Sequence, residues 1–382
     1  MEVLNGIDRL LTEDFGLKGK RLGLITNHSG LTKTLVSSID VLNERFDLRA
    51  LFGPEHGIRG DIEAGGHVDT YTDKRTGLPV YSIYGNSPNA EENNRPAADT
   101  FKEIDMLLID IQDVGCRFYT FESTLYNSME ACAKAGKTFV VLDRVNPVNG
   151  ADVEGNILDT KFRSFVGIGP VPNRHGMTMG ELAEFYNRER AIGCDLEVIT
   201  ISGWEREMYG DEAGFHWVNP SPNIPNIDAA VLYPGTCIFE GTCVSEGRGT
   251  TRPFELIGAP WLDADALAET MNARRLPGVI FRPAAFLPSF SKFTGEFCRG
   301  VQLHITDRNT IRPVNAAINL LEAIRGQSGE KFSWLQSAND RYFIDLLAGT
   351  DILRKGSAGD YLELCKKGEK EFVEKRRPYL VY

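Results

Sequence analysis

Short apolar runs alternate with helix-length amphipathic stretches through the first 150 residues. Arg21–Thr26 reads as a buried strand, and a helical pattern follows near Leu35–Arg45. Leu48–Phe52 is a second strand, closed by Gly53-Pro54, and the β-rich run Pro79–Tyr84 stops at Gly85. Ile104–Ile111 is largely apolar, as in a strand covered on both faces. A helix fits Phe121–Ala135, and Thr138–Leu142 is another buried strand. Strands separated by helix-length segments predict a parallel sheet with helices on both faces, a Rossmann-like doubly wound layer.

The pattern loosens past about residue 150. Thr178-Met179-Gly180-Glu181 is a capping box opening a helix through Asn187, and Leu196–Ile201 reads as a strand. Asn219–Asn226 (NPSPNIPN) is dense in turn formers and predicts an ordered loop or a crossing between lobes. Helices near Ala264–Ala273 and Val314–Ile324 flank β-like runs at Val279–Phe281 and Val301–Ile305. The expectation is an α/β protein with a Rossmann-like domain over 1–155 and a second, smaller α/β lobe over 156–382. A length of 382 residues suits two domains at ~150 residues each. Neither an internal repeat nor a low-complexity tract interrupts the chain.

Composition narrows the partners. Forty-two basic against 53 acidic residues give a net charge of −11, and no long Lys/Arg run offers the basic footprint that nucleic acid requires. The same balance suits an anionic membrane surface poorly, and no window approaches the ~18 apolar residues of a membrane span. Small molecules or neutral polymers are the expected partners. Seven scattered cysteines without a C-x-x-C pair read as reduced thiols. The N-terminus shows no signal-peptide pattern, which predicts a cytoplasmic protein, or a periplasmic or secreted one if a leader was removed.

In open α/β sheets ligands bind beyond the carboxyl ends of the strands, so the residues just after each strand carry the chemistry. Here they are Asn27 and His28; Glu55, His56 and Arg59; Asp110, Gln112, Asp113, Arg117 and Tyr119; and Asp143, Arg144 and Asn146. Any one of these is as readily a helix cap; four polar strand ends on one rim predict a polar pocket. Gly53, Pro54 and Gly57 frame Glu55, which partial burial would suit to general-acid work, although an ion pair with Arg59 or Arg117 explains it equally. Farther along, Glu246, Arg248 and Arg252 share a glycine-rich loop, fit either to grip a carboxylate or phosphate in bidentate fashion or to form a solvated turn. The chain has no G-x-G-x-x-G, so no dinucleotide or other cofactor is expected. His28, His56, Asp110, Asp113 and His175 are the residues a zinc or manganese ion would draw on, but none has metal-ligand spacing, and no metal is expected. His67, His216 and His304 read as structural or surface residues.

Four blocks, LFGPEHGIRG (51–60), DIQDVGCRFYTF (110–121), LDRVNPVNG (142–150) and EGRGTTRPFE (246–255), resemble the exo-β-N-acetylmuramidase (NamZ-type) family of peptidoglycan hydrolases. PNRHGMT (172–178) and SPNIPN (221–226) fit the same family. Val145 departs from the Pro expected in many relatives but leaves Asp143, Arg144 and Asn146 in place. The resemblance implies two lobes around a cleft and exo-hydrolysis that releases N-acetylmuramic acid from the non-reducing end of peptidoglycan fragments. It implies that Glu55 is the catalytic glutamate, with the other motif positions, His175 among them, as pocket residues.

The implied substrate, a muropeptide or muramic-acid-containing glycan, carries a lactyl carboxylate that Arg248, Arg252 or Arg117 would pair with. Glycoside hydrolysis needs a group besides the acid. Asp110, Asp113 and Glu246 compete for that role, alongside the substrate's own acetamido group. His56 would tune Glu55 or bind a hydroxyl, and Tyr119 either stacks on sugar or sits in the core. Two other readings stand beside this one: a metal-dependent hydrolase or deacetylase using His28, His56 and Asp110, and a non-catalytic sugar-binding protein.

Overall fold

The computed structural model describes residues 2–54, 57–60, 70–83, 94–336 and 341–382. Among them, seven strands form one sheet: β1 (Arg21–Thr26), β2 (Asp47–Gly53), β3 (Tyr71–Thr72), β4 (Pro79–Ser82), β5 (Met106–Asp110), β6 (Thr138–Leu142) and β7 (Asp195–Ile199), in the order β3-β4-β2-β1-β5-β6-β7. All pairings are parallel except that of the two-residue edge strand β3 with β4. The order reverses on either side of β1, the topology of a doubly wound sheet. The sheet takes its last strand from beyond residue 155, where the first domain was expected to end.

Alternation along the strands explains the double winding. Leu22, Leu24, Leu108, Val140 and Leu142 point to one face, where they meet Ile7 and Leu10 of α1 (Gly6–Leu10) and Ile39 and Leu42 of α2 (Ser38–Arg45). Ile25, Leu107, Ile109, Phe139 and Val141 point to the other, against α3 (Phe121–Ala135) and α4 (Met179–Glu189). A left-handed Gly136 ends α3, and the Thr178–Glu181 capping box opens α4 as its sequence demands.

The second sheet is antiparallel, in the order β8-β10-β9, from β8 (Leu256–Ala259), β9 (Val279–Phe286) and β10 (Cys298–Ile305). Around it lie α5 (Ile227–Thr236), α6 (Ala264–Ala273), α7 (Pro313–Ser328), α8 (Phe343–Ala348), α9 (Ile352–Lys355) and α10 (Ala358–Arg376). Both sheets share one apolar core. Phe118 and Tyr119, just after β5, pack edge-on against Tyr233 of α5, and Tyr233 against Phe254. The segment 219–226 contains neither helix nor strand, and it ends at Asn226, whose side chain caps α5 by accepting from Ala229 N. Among the described residues no helix is long and apolar enough to cross a membrane.

Candidate functional site

Three of the four strand ends are knit into one polar rim. After β1, the Asn27 carboxamide oxygen accepts from the Ser29 amide at 2.9 Å and its hydroxyl at 2.6 Å, and the Ser29 hydroxyl in turn accepts from Gln112 N. Gln112 then donates from Nε2 to the carbonyls of Asp113 and Val145, tying the β5 end to the β6 end. Thr26 donates its hydroxyl to Asp110 O. The centre of the rim is an ion pair: Arg144 Nε and Nη2 reach the two oxygens of Asp110 at 2.7 and 2.9 Å, and Nη2 also donates to Leu31 O. Asp110 is fully buried and Arg144 nearly so, hence neither charge is free.

The fourth end is the loop after β2. Glu55 and His56 lie outside the described residues. Gly57 N bonds back to Pro54 O, and Arg59 pairs with Asp73 at 3.0 Å. Gly60 has φ +74°, and a side chain there would collide with the His28 imidazole. His28 Nε2 lies 2.6 Å from Asn219 O, so the β1 end also touches the turn-rich 219–226 loop.

Asp143, at the end of β6, accepts from Thr178 Oγ1, Gly180 N, Arg144 N and the hydroxyl of Tyr382. Burial nevertheless raises its pKa to about 6. Asn146 donates to Met177 O and fits against Gly115, whose φ of +71° no side chain would tolerate there. Gln112, Asp113, Arg144, Asn146 and Thr178 line a water-sized cavity of about 10 Å³. A neighbouring one of about 50 Å³ opens over Ser29, Gln112, Arg144, Lys33, His216 and Trp217. A wider depression of about 850 Å³ lies near the opposite ends of β5 and β6, beside Lys102 and Lys137, and none of the rim residues lines it.

Below the rim lies a buried acid cluster. Asp113 accepts from Gly115 N at 2.6 Å through one oxygen, while the other has no partner among the described residues. Burial pushes its pKa up to about 7. Glu122, in the first turn of α3, accepts from the Tyr186 hydroxyl, and its free oxygen faces His175 Nε2 at 3.9 Å. Burial, with Asp113 adding a like charge, lifts Glu122 to about 8; burial and the surrounding arginines lower His175 to about 3. At neutral pH the pair is therefore carboxylic acid and neutral imidazole, not an ion pair. His175 Nδ1 accepts from Met177 N, which leaves the proton on Nε2.

A stability test follows from the sign of these shifts. The folded state holds the Glu122 proton more tightly than the unfolded chain, whose glutamate titrates near 4.5. Stability from this group is thus present at low pH and is lost as pH rises toward about 8. Glu122→Gln removes that loss. Its thermal melts are expected to diverge from those of the parent with rising pH, least at pH 5 and most near pH 9, by roughly 4 kcal/mol. A constant difference across the range would show that Glu122 is already ionised at pH 5.

Arg117 and Tyr119 are part of the core. Arg117, fully buried, donates to the carbonyls of Asn156, Val171 and Leu347. Its guanidinium stitches three distant segments together and is not offered to a ligand. Tyr119 packs edge-on against Phe121 and Tyr233.

The glycine-rich 246–252 loop forms a second centre. Glu246, 2% exposed, takes Lys292 Nζ at 2.8 Å and lies 3.6 Å from Arg248 Nε, while Arg248 also donates to Glu240 and sits over the Phe254 ring. Arg252 is half exposed and pairs with Glu255. Burial, with Glu246 adding a like charge, raises the pKa of Glu240 despite Arg248. The rim and this centre are joined through Phe254, Tyr233 and Tyr119, and no ion pair or hydrogen bond among the described residues links Glu246 or Arg248 directly to Asp110 or Asp113. Glu122 and Lys292 were not foreseen. Glu122 had a local signal, an acid in the first turn of a helix; Lys292 is a lone cation on a hairpin with none.

A model described as "Exo-beta-N-acetylmuramidase NamZ, N-terminal" matches residues 22–228, and its C-terminal counterpart matches 231–382. The chain belongs to the NamZ family. It is 44% identical to the peptidoglycan β-N-acetylmuramidase NamZ of Bacillus subtilis (strain 168), an alignment covering 100% of this chain and 92% of that protein. Two crystal structures of DUF1343 family proteins from Bacteroides fragilis NCTC 9343 share the fold. One has TM-score 0.91 at 36% identity, the other 0.77 at 31%, each covering 100% of this chain and 99% of the other. The family and fold expected from the four blocks thus hold across the whole chain. The boundary between the two NamZ family models falls at 228–231, just where Asn226 caps α5.

Proposed function

We propose that this chain is an exo-acting glycosidase that cleaves a terminal β-linked N-acetylmuramic acid from peptidoglycan fragments. The observation that carries the reading is that the two NamZ family models match 22–228 and 231–382 across a single core, in which the 110–121 and 142–150 blocks meet at the polar rim. In this reading Glu55, which the sequence sets between Gly53-Pro54 and Gly57, is the general acid. Asp110 is neutralised by Arg144 and orders the rim; Asp113 and Glu246 are the two candidates for the second catalytic role. Asp113 brings an unpartnered oxygen beside a water-sized cavity, and Glu246 brings a carboxylate flanked by two cations. Asn27, His28, His56, Gln112, Asp143, Asn146, Arg248 and Arg252 complete the pocket, with Arg248 or Arg252 facing the lactyl carboxylate. A first lobe ending near 228 and a second from 231 enclose it, and the seven unpaired thiols support a reducing compartment.

The test is incubation with a glycan bearing N-acetylmuramic acid at its non-reducing end, followed by mass spectrometry. Release of the free sugar, undiminished after treatment with a chelator, is the expected result. The donor set argues for that indifference: Asp110 is held by Arg144 and His28 Nε2 by Asn219 O, so two of the three ligands a metal-dependent hydrolase would use are already engaged. Loss of activity on chelation, restored by a divalent ion, would favour the metal enzyme instead. Tight binding without turnover would favour a sugar-binding protein.

A further inference from the structure

The hairpin joining β9 to β10 has an apolar tip that the core does not use. Leu287, Phe290 and Phe297 are 48%, 53% and 69% exposed. Leu287 and Phe297 are opposite one another by continuation of the β9–β10 register, in which Phe286 faces Cys298. Phe293 of the same tip turns inward instead, edge-on to Trp261. The backbone that separates inward from outward rings is strained, with φ +70° at Ser291 and +57° at Phe293. Large apolar groups held together in water by such a turn mark a candidate contact surface.

This tip is fastened to the Arg248 loop. Ser289 N and Oγ both donate to Gly249 O, at 2.8 and 2.9 Å, and a side chain at Gly249 (φ +79°) would collide with the backbone of Phe290. Lys292 reaches the other way, donating to Glu246 and to the carbonyls of Phe239 and Val244. The exposed rings are therefore placed rigidly beside the loop that holds Glu246 and Arg248. An exo-enzyme encloses the sugar it releases, and the remainder of the glycan has to leave across the protein surface next to the pocket. Flat aromatic rings suit the apolar faces of pyranoses, as they suit any flat or ring-shaped ligand with a hydrophobic face.

We propose that Phe290, flanked by Leu287 and Phe297, is a stacking platform for the sugar on the leaving-group side of the scissile bond, the N-acetylglucosamine unit that remains on the glycan. The inference rests on the glycosidase reading above and adds the site that selects for chain. Free N-acetylmuramic acid, which occupies only the released-sugar side, serves as the internal reference. In Phe290→Ala the ratio of KM for a muramic-acid-terminated tetrasaccharide to the inhibition constant of free N-acetylmuramic acid is expected to rise about tenfold, with kcat for the tetrasaccharide little changed. Phe297→Ala is expected to raise it less, and Phe290→Trp to keep it at the parent value. A ratio within twofold of the parent in both alanine variants would overturn the platform. So would a concentration-dependent dimer that Phe297→Ala dissolves while the ratio stays put, since the face would then serve self-association. If the unaltered protein released no sugar from the tetrasaccharide, the glycosidase reading would fall and the platform with it; release with an unmoved ratio removes the platform alone.

Discussion

Glu55→Gln is expected to lower release of N-acetylmuramic acid from an unactivated glycan by about 10²- to 10⁴-fold, the usual worth of a positioned general acid. The amide keeps the size and much of the hydrogen bonding of the acid but has no proton to give. Cleavage of a sugar–sugar bond expels an alkoxide unless the bridging oxygen is protonated as the bond breaks, so this substrate feels the loss in full. A 4-nitrophenyl glycoside expels a stabilised phenolate and needs less help, so the same variant loses less on it. That contrast, measured as two kcat/KM ratios, separates a missing proton donor from a damaged pocket, which would depress both substrates alike. Equal activity of variant and parent on the glycan would remove Glu55 from the mechanism.

The second large effect is expected at Arg144. Arg144→Met leaves the fully buried Asp110 carboxyl without its two donors, and is expected to cost about 3–5 kcal/mol of stability, read as a lowered denaturant midpoint. Activity falls too, because the guanidinium also fixes Leu31 and thereby the chain after β1. The double variant Asp110→Asn with Arg144→Met recovers part of the stability, since no charge is then stranded. If the single variant were as stable as the parent, the pair would contribute little to holding the rim.

The helices and strands of the first half were legible because their periodicities are clean. Phe121–Ala135 and Thr138–Leu142 fall where the pattern places them, and the Thr178 capping box opens its helix. Less legible was the short antiparallel strand Tyr71–Thr72, too brief to show a period. Ile227–Thr236 is apolar for most of its length and includes Pro234, which conceals a helix buried from Ala229 to Thr236. The 19-residue helix Ala358–Arg376 was missed for the opposite reason: charged residues crowd it, and only Tyr361, Cys365, Gly368, Phe372 and Arg376 are buried. The rim was readable from strand ends alone, since topology places those ends together. The direction each side chain takes was not. Arg117 follows β5 as a ligand-binding arginine would, yet it turns into the core, because three carbonyls from residues 156, 171 and 347 await it.

That buried arginine bears on how the protein is made. Its partners come from both sides of the 228–231 junction, and the Tyr119–Tyr233–Phe254 ring contacts cross the same junction. A gene cut there would yield two polypeptides, each with an open apolar wound and one of them with an arginine short of an acceptor. Produced separately they would aggregate; produced together in one cell they would be obliged to find each other and reassemble before either could work.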